Sequence, residues 1–314
     1  MFRNIDNTGS RYGLGKQLGK GSFGIVCKAR RVSDGKLMAC KIVSISPDNV
    51  DLTLQELEVW IDAADRSSHV AKVYDAEYSK TDNEAYIYME LFEGGDARDF
   101  ANELTGHRAI IHPLLLSVIA YQTALGLKQI HEKMFQHRDL KPENILMTRK
   151  ITAGMNRALW DLDNRERPNE RDLAAVWKIV REPRLVVLAD FGLARDHKAP
   201  SRRAGMVTKV ALPGGFNPAY NAPEMVKNNV QSRYADVFSL GMVIYNLATL
   251  HFPRDASERG DMPSRYPTSL RKLYLHCTEE NPKRRPMAED VVDVLDGIVD
   301  AEYQRMASPY KAWM

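Results

Sequence analysis

Gly19-Lys20-Gly21-Ser22-Phe23-Gly24 sets three glycines at GxGxxG spacing, and glycines without side chains let backbone amides approach phosphates closely. Dinucleotide-binding folds share the spacing but need a helix after it. Here Ile25–Val32 runs into an Asp34-Gly35 turn and a further apolar run instead. The glycines are therefore expected to cap a β-hairpin, with Phe23 at its tip as a lid. A plain flexible turn is the alternative at this point. Met38-Ala39-Cys40-Lys41-Ile42-Val43 places one lysine in an apolar strand, where an ammonium is costly to bury unless a phosphate or carboxylate meets it. On the next helical stretch Glu56 is the preferred carboxylate, because Leu57, Val59, Trp60 and Ala63 then face a core. Glu58 is its rival, and a lysine snorkelling out of a strand end stays open. His137-Arg138-Asp139-Leu140-Lys141-Pro142-Glu143-Asn144 crowds polar groups between apolar stretches where neither a core nor a helix face calls for them. Asp190-Phe191-Gly192 follows the apolar run Leu185–Leu188, and Ala222-Pro223-Glu224 follows a long polar loop.

Taken in order, the glycine loop, strand lysine, HRD loop with its asparagine, DFG and APE resemble the eukaryotic protein kinase family, from about Tyr12 to Ile298. The resemblance implies an α+β fold in two lobes, a small β-rich lobe with one main helix and a larger helical lobe. It implies ATP and Mg²⁺ as cofactors: Gly19, Lys20, Gly21, Ser22, Phe23 and Gly24 over the nucleotide, and Val26 and Ala39 against it. Lys41 would lie on the phosphates with Glu56 orienting it, and Asn144 and Asp190 on the metal. Asp139 would accept the proton of the attacking hydroxyl, and Lys141 would offset charge on the transferring phosphoryl group. Tyr86–Gly95 resembles the family's hinge, with Met89 as gatekeeper and the backbone of Glu90 and Phe92 meeting adenine. Asp96 falls where a ribose- or substrate-facing acid is expected, or else caps the following helix. Asp236 resembles the aspartate that braces the HRD backbone, and Arg285 the arginine that pairs with the APE glutamate, Glu224. Phe238 stands where the family usually has tryptophan.

The elements that must position these groups follow from periodicity. Strands are expected at Leu14–Leu18, Ile25–Arg31, Leu37–Ile45, Val70–Tyr74 and Ala85–Leu91. Leu54, Leu57, Trp60, Ile61 and Ala64 keep helical spacing. Longer helical runs are read at Pro113–His131, Ala235–Leu250, Ser269–Cys277 and Ala288–Tyr303. The expected organisation is a kinase domain at 12–298, with a small lobe at 12–91, a hinge at about 90–96, a large lobe at 97–298 and a tail at 299–314.

A length of 314 residues with 44% apolar and 27% charged residues excludes fibrous and disordered classes. A net charge of +3 is too balanced to argue for nucleic acid or a membrane surface as partner. Cys27, Cys40 and Cys277 form no CxxC pair, so reduced core thiols are expected. With no apolar leader or spanning run in the sequence, a soluble, monomeric protein in the cytoplasm or nucleus is the expectation.

Two departures from the family pattern stand out. The polar segment at 149–183 occupies the place of a short connection between strands. It is read as a folded insertion packing through Leu173, Val176, Trp177 and Val180 on the large lobe, with a partner-docking helix as the second reading. Asn217 stands where serine/threonine kinases usually have threonine. Ser201 and Thr208 are the candidate activating phosphosites, Thr208 preferred, and Arg202, Arg203 and Lys209 form a basic patch. Lys-Pro-Glu-Asn after Asp139 resembles serine/threonine kinases acting on protein substrates. Gly-Ser-Phe-Gly-Ile-Val and Tyr-Ile-Tyr-Met-Glu resemble NIMA-related kinases. The competing readings are a pseudokinase scaffold that binds nucleotide and a partner through 149–183, and a small-molecule kinase of related fold.

Overall fold

Alternation along the N-terminal third builds a sheet before any helix packs on it. The computed structural model describes residues 3–4, 9–21, 24–45, 58, 61–62, 64–164, 166, 170–190, 208–209, 217–228 and 230–307. Strands β1 (Arg3–Asn4), β2 (Tyr12–Gly21), β3 (Gly24–Arg31), β4 (Leu37–Ser44), β5 (Val73–Ser79) and β6 (Glu84–Met89) form one sheet in the order β1-β5-β6-β4-β3-β2. All pairs are antiparallel except β1 with β5. The glycines do cap a hairpin, with Gly19 opposite Val26 and Gly21 opposite Gly24. Strand β4 is central and buried on both faces. Its period of two turns Met38 and Cys40 toward Tyr12, Ala29 and Tyr88, and Ala39 and Val43 toward the main core, with Lys41 on that same face.

The expected strand at Val70–Tyr74 is displaced. Val70 and Ala71 leave the main sheet: Val70 bridges Leu188, and the Ala71 N–H donates to the Leu188 carbonyl at 2.8 Å. These residues are fully buried because they join the lobes, and pairing within the sheet starts only at Val73. Of the helical stretch read at 51–64, Glu58, Ile61, Asp62 and Ala64 are helical; Leu54, Glu56, Leu57 and Trp60 lie outside the described residues.

The large lobe is built on α1 (Ala97–Gly106), α2 (Pro113–Glu132) and α3 (Ala153–Asp163), then α4 (Glu170–Val180), α5 (Pro223–Asn228), α6 (Arg233–Thr249), α7 (Thr268–Cys277) and α8 (Ala288–Ala307). Helix α2 begins with Pro113 at a position where the missing N–H costs nothing. Both α2 and α6 are buried nearly all round, as expected of core helices. Helix α8 continues past residue 298, and Met306 in its last turn is buried, so 299–307 belongs to the packed lobe instead of a tail. Among the described residues no helix is long and apolar enough to cross a membrane.

Helices α3 and α4 lie within the 149–183 segment. Leu159, Leu162, Val176 and Ile179 are buried in the main core, Val180 with them, and Trp177 packs partly buried against it, edge-on to Tyr303 at 5.6 Å; the Leu173 side chain lies outside the described residues. The Asn156 carboxamide accepts from the His112 N–H at 2.8 Å and donates to the Ile110 carbonyl at 2.8 Å. Asp163 bonds His112 at 2.9 Å and pairs with Arg305 on α8. The segment is thus held by apolar burial and by buried polar bonds at once. Leu159→Ala should cost about 2–5 kcal/mol in unfolding free energy, measured by denaturant titration; a cost near zero would mean that the segment merely rests on the lobe.

Candidate active site

Between the sheet and the large lobe lies a cleft of about 790 Å³, within the size range of small-molecule sites. Gly19, Lys20, Gly24, Val26, Ala39 and Lys41 line its sheet side. Gly24 has φ +147°, and a Cβ there would lie 2.0 Å from the Ile42 carbonyl oxygen, so no other residue fits. Met89, Glu90 and Phe92 form the back edge, and Asp96, Lys141, Asn144 and Asp190 close the other side. Gly21 ends β2. Ser22, Phe23, Glu56, Phe191 and Gly192 lie outside the described residues, as do Ser201, Arg202 and Arg203. Thr208 and Lys209 form a two-residue strand paired with Val230–Gln231.

Among the described residues, the anion that meets Lys41 is Asp190. The ammonium, on a residue 5% exposed, donates to Asp190 Oδ1 at 2.5 Å, while Glu58 is exposed. Burial alone would raise the Asp190 carboxyl; the charge and hydrogen bond of Lys41 outweigh it and hold the group below the usual carboxylate range. Asp190 also has φ +56°, a strained conformation outside glycine that surrounding contacts must maintain. The Ala189 N–H beside it donates to the Asn144 carbonyl at 2.9 Å.

Asp139 Oδ2 accepts from Lys141 Nζ at 2.7 Å and from Asn144 Nδ2 at 3.1 Å. Asn144 Nδ2 also donates to the Asp139 carbonyl at 2.6 Å. Burial raises the Asp139 carboxyl above its ordinary value, and Lys141 only partly opposes this. The loop carrying Asp139 is braced from below. Asp236 accepts from the His137 and Arg138 N–H groups at 2.9 and 2.8 Å and bonds His131 at 2.8 Å. That brace holds Arg138 at φ +70°. Asn144 Nδ2 makes both of these bonds to Asp139, and the Asn144 and Asp190 side chains each carry an oxygen that could ligate a metal. Among the described residues no cluster of three or more His, Cys, Asp or Glu could hold a metal ion. An amide and a carboxylate at the edge of the cleft fit a hard cation that takes its remaining ligands from phosphate and water.

Asp96 is the helix cap, and it also lies on the cleft. It caps α1 by accepting from the Asp99 N–H at 2.8 Å in a capping box. Burial pushes its carboxyl up to about 6, against the bond from Asp99. A carboxyl raised on folding adds stability below its unfolded value, near 3.8, and loses it as pH rises through about 6. Asp96→Asn keeps the cap, since asparagine serves there equally well. The variant should therefore flatten the decline in melting temperature between pH 4 and pH 6, read by calorimetry. Asn217 lines the cleft and accepts from the Ala219 N–H at 3.2 Å through Oδ1.

Among the lining residues that escape sequence reading are Leu146, Ala189, Lys16 and Lys28, and Glu90 as a side chain. Leu146 shows itself only as the half-buried centre of the strand Ile145–Met147, whose neighbours are fully buried. Glu90 was read for its backbone, yet its carboxylate pairs with Arg184, and no spacing links residues so far apart.

The protein kinase domain family matches residues 12–309 of the chain. Serine/threonine-protein kinase Nek2 of Homo sapiens is 23% identical over 92% of this chain and 61% of its own length. Serine/threonine-protein kinase ATG1a of Arabidopsis thaliana is 26% identical over 78% of this chain and 32% of its own. Serine/threonine-protein kinase Nek1 of Mus musculus is 24% identical over 94% and 22%. The chain thus spans between about a fifth and three fifths of the length of these curated relatives. With two lobes around a cleft lined by Lys41, Lys141, Asn144 and Asp190, with Asp139 bonded to Lys141 and Asn144 without lining the cleft itself, and with the family match running through nearly all of the sequence, the chain belongs to the protein kinase domain family.

Proposed function

We propose that the chain is a serine/threonine protein kinase domain that uses Mg-ATP to phosphorylate hydroxyl groups of protein substrates. The observation that carries this reading is the contact between Lys41 and Asp190 across the cleft, 2.5 Å apart, beside an Asp139 tied to Lys141 and Asn144. Bound Mg-ATP supplies the γ-phosphoryl group and a cation that neutralises its charge. The chain's own residues do the rest by position. Lys41 would hold the nucleotide's phosphates, and Asp190 and Asn144 would offer oxygen ligands to the metal. Asp139 accepts the proton of the attacking hydroxyl, and Lys141, in contact with that same carboxylate, offsets negative charge on the group in flight. The Glu90 N–H is spent on the Lys72 carbonyl at 2.9 Å, which leaves its own carbonyl and the Phe92 backbone for adenine. Residues 149–183 act first as structure, since their helices are packed into the lobe.

Transfer of label from γ-labelled ATP to serine- and threonine-containing proteins tests the reading, with Asp190→Asn as control. Turnover that disappears in the control supports it. Nucleotide binding without turnover in the wild type would favour the pseudokinase scaffold, the reading for which Asn217 in place of threonine speaks.

A further inference from the structure

We propose that Arg184 is a positioning residue for nucleotide binding, holding the hinge from behind through the carboxylate of Glu90. The inference rests on the kinase reading, because it assigns the hinge to adenine. Arg184 donates to both carboxylate oxygens, Nη1 to Oε1 at 2.6 Å and Nη2 to Oε2 at 2.7 Å. The same guanidinium donates from Nε to the Ser68 carbonyl at 2.5 Å and from Nη2 to the Val70 carbonyl at 3.4 Å. It also stands 5.7 Å from the centroid of the Phe92 ring.

One planar group therefore joins three pieces of chain: the hinge, the segment that links the lobes, and the strand leading to Asp190. Such a two-pronged pair fixes orientation as well as distance. The hinge has need of it, because regular pairing ends at Met89 and α1 begins only at Ala97. Glu90 is fixed twice, its N–H on the Lys72 carbonyl at 2.9 Å and its side chain on Arg184. Its backbone, which lines the cleft, is thus held in one orientation before a ligand arrives, which lowers the ordering cost of binding. Burial would lift the Glu90 carboxyl, but Arg184 holds it below the usual range, so the pair stays charged.

Arg184 is itself rigidly mounted. The carbonyl of the preceding Pro183 bonds His69 at 3.0 Å, and the Glu182 carbonyl accepts from Gln122 at 2.7 Å. These residues close the stem of the 149–183 segment, which is how the packed helices α3 and α4 reach the hinge.

The test compares the full chain with Arg184→Ala and Arg184→Lys. Arg184→Ala should raise the KM for ATP about tenfold, the scale of one lost charge-assisted bond, with kcat and the KM for peptide little changed. Arg184→Lys should fall between, because one ammonium cannot form the fork. In the ATP-free protein, amide hydrogen exchange at residues 91–95 should quicken in Arg184→Ala. Glu90→Gln removes the same pair from the other side and should shift the KM for ATP in the same direction if Arg184→Ala does not fold. An unchanged KM for ATP with unchanged hinge exchange overturns the proposal. So does a parallel loss of kcat, peptide KM and melting temperature, which would mark a purely structural role. A wild type that neither binds nor turns over ATP overturns the kinase reading instead, and hinge exchange still decides the clamp.

Discussion

Asp139→Asn should lower kcat by about 10²–10⁴-fold, the range that general-base catalysis contributes, while leaving the KM for ATP nearly unchanged. Asparagine has almost the same shape, and the bond from Asn144 Nδ2 to the backbone carbonyl of residue 139, at 2.6 Å, survives the change. Bracing of the loop by Asp236 through the His137 and Arg138 amides survives too. What is lost is the proton acceptor and the negative charge facing Lys141 at 2.7 Å. The pH dependence gives a second reading of the same group. Burial raises the Asp139 carboxyl, and the base works only when ionised. The acid limb of kcat/KM in the wild type should therefore lie above the ordinary aspartate value of about 3.9, and it should vanish in the variant. Steady-state kinetics from pH 4 to pH 8 would check both, and a loss of less than threefold would remove Asp139 from the role of base.

Arg285→Ala should destabilise the fold by about 3–5 kcal/mol, the cost of leaving one partner of a buried ion pair alone. Arg285 is 3% exposed and Glu224 9%, and their two parallel bonds measure 2.7 and 2.8 Å. All five guanidinium N–H donors find acceptors, the other three being the carbonyls of Glu279, Tyr234 and Glu280. The guanidinium also lies 4.9 Å from the centroid of the Phe238 ring, so the residue in the usual tryptophan position still offers a π face. Lysine cannot replace this geometry. Melting temperature should fall on the order of 10 °C for such a loss in a domain of this size. Adding Glu224→Gln to Arg285→Ala should recover part of it, because the orphaned carboxylate is then neutral. A double variant no more stable than the single one would locate the loss in the three carbonyls.

The helical insertion shows how far pattern reading reaches. Val176, Trp177 and Val180 keep helical spacing in a polar stretch, and that spacing was enough to expect packing. It said nothing of Asn156, whose carboxamide substitutes for a backbone partner of Ile110 and His112. Nor did it reveal Asp163, which joins His112 and Arg305. Polar residues in a polar segment carry no periodic mark, so their burial is invisible until the chain folds. The strand expected at Val70–Tyr74 erred for a related reason: apolar β-branched residues mark burial, and Val70 is buried between lobes instead of within the sheet.

By itself the sequence determined the hairpin under the glycines, because a second strand instead of a helix follows Gly24. It determined the face of β4 that carries Lys41, because side chains alternate along a strand, and it set the order of the polar motifs that bear the resemblance. Only the tertiary structure brought Asp190 against Lys41 and gave the bonds by which Asp236, expected from the resemblance, braces Arg138. It alone brought Arg184 against Glu90. Local backbone periods are written in neighbouring residues, whereas the partner of a buried charge is chosen by distances that exist only after segments far apart in the chain have packed.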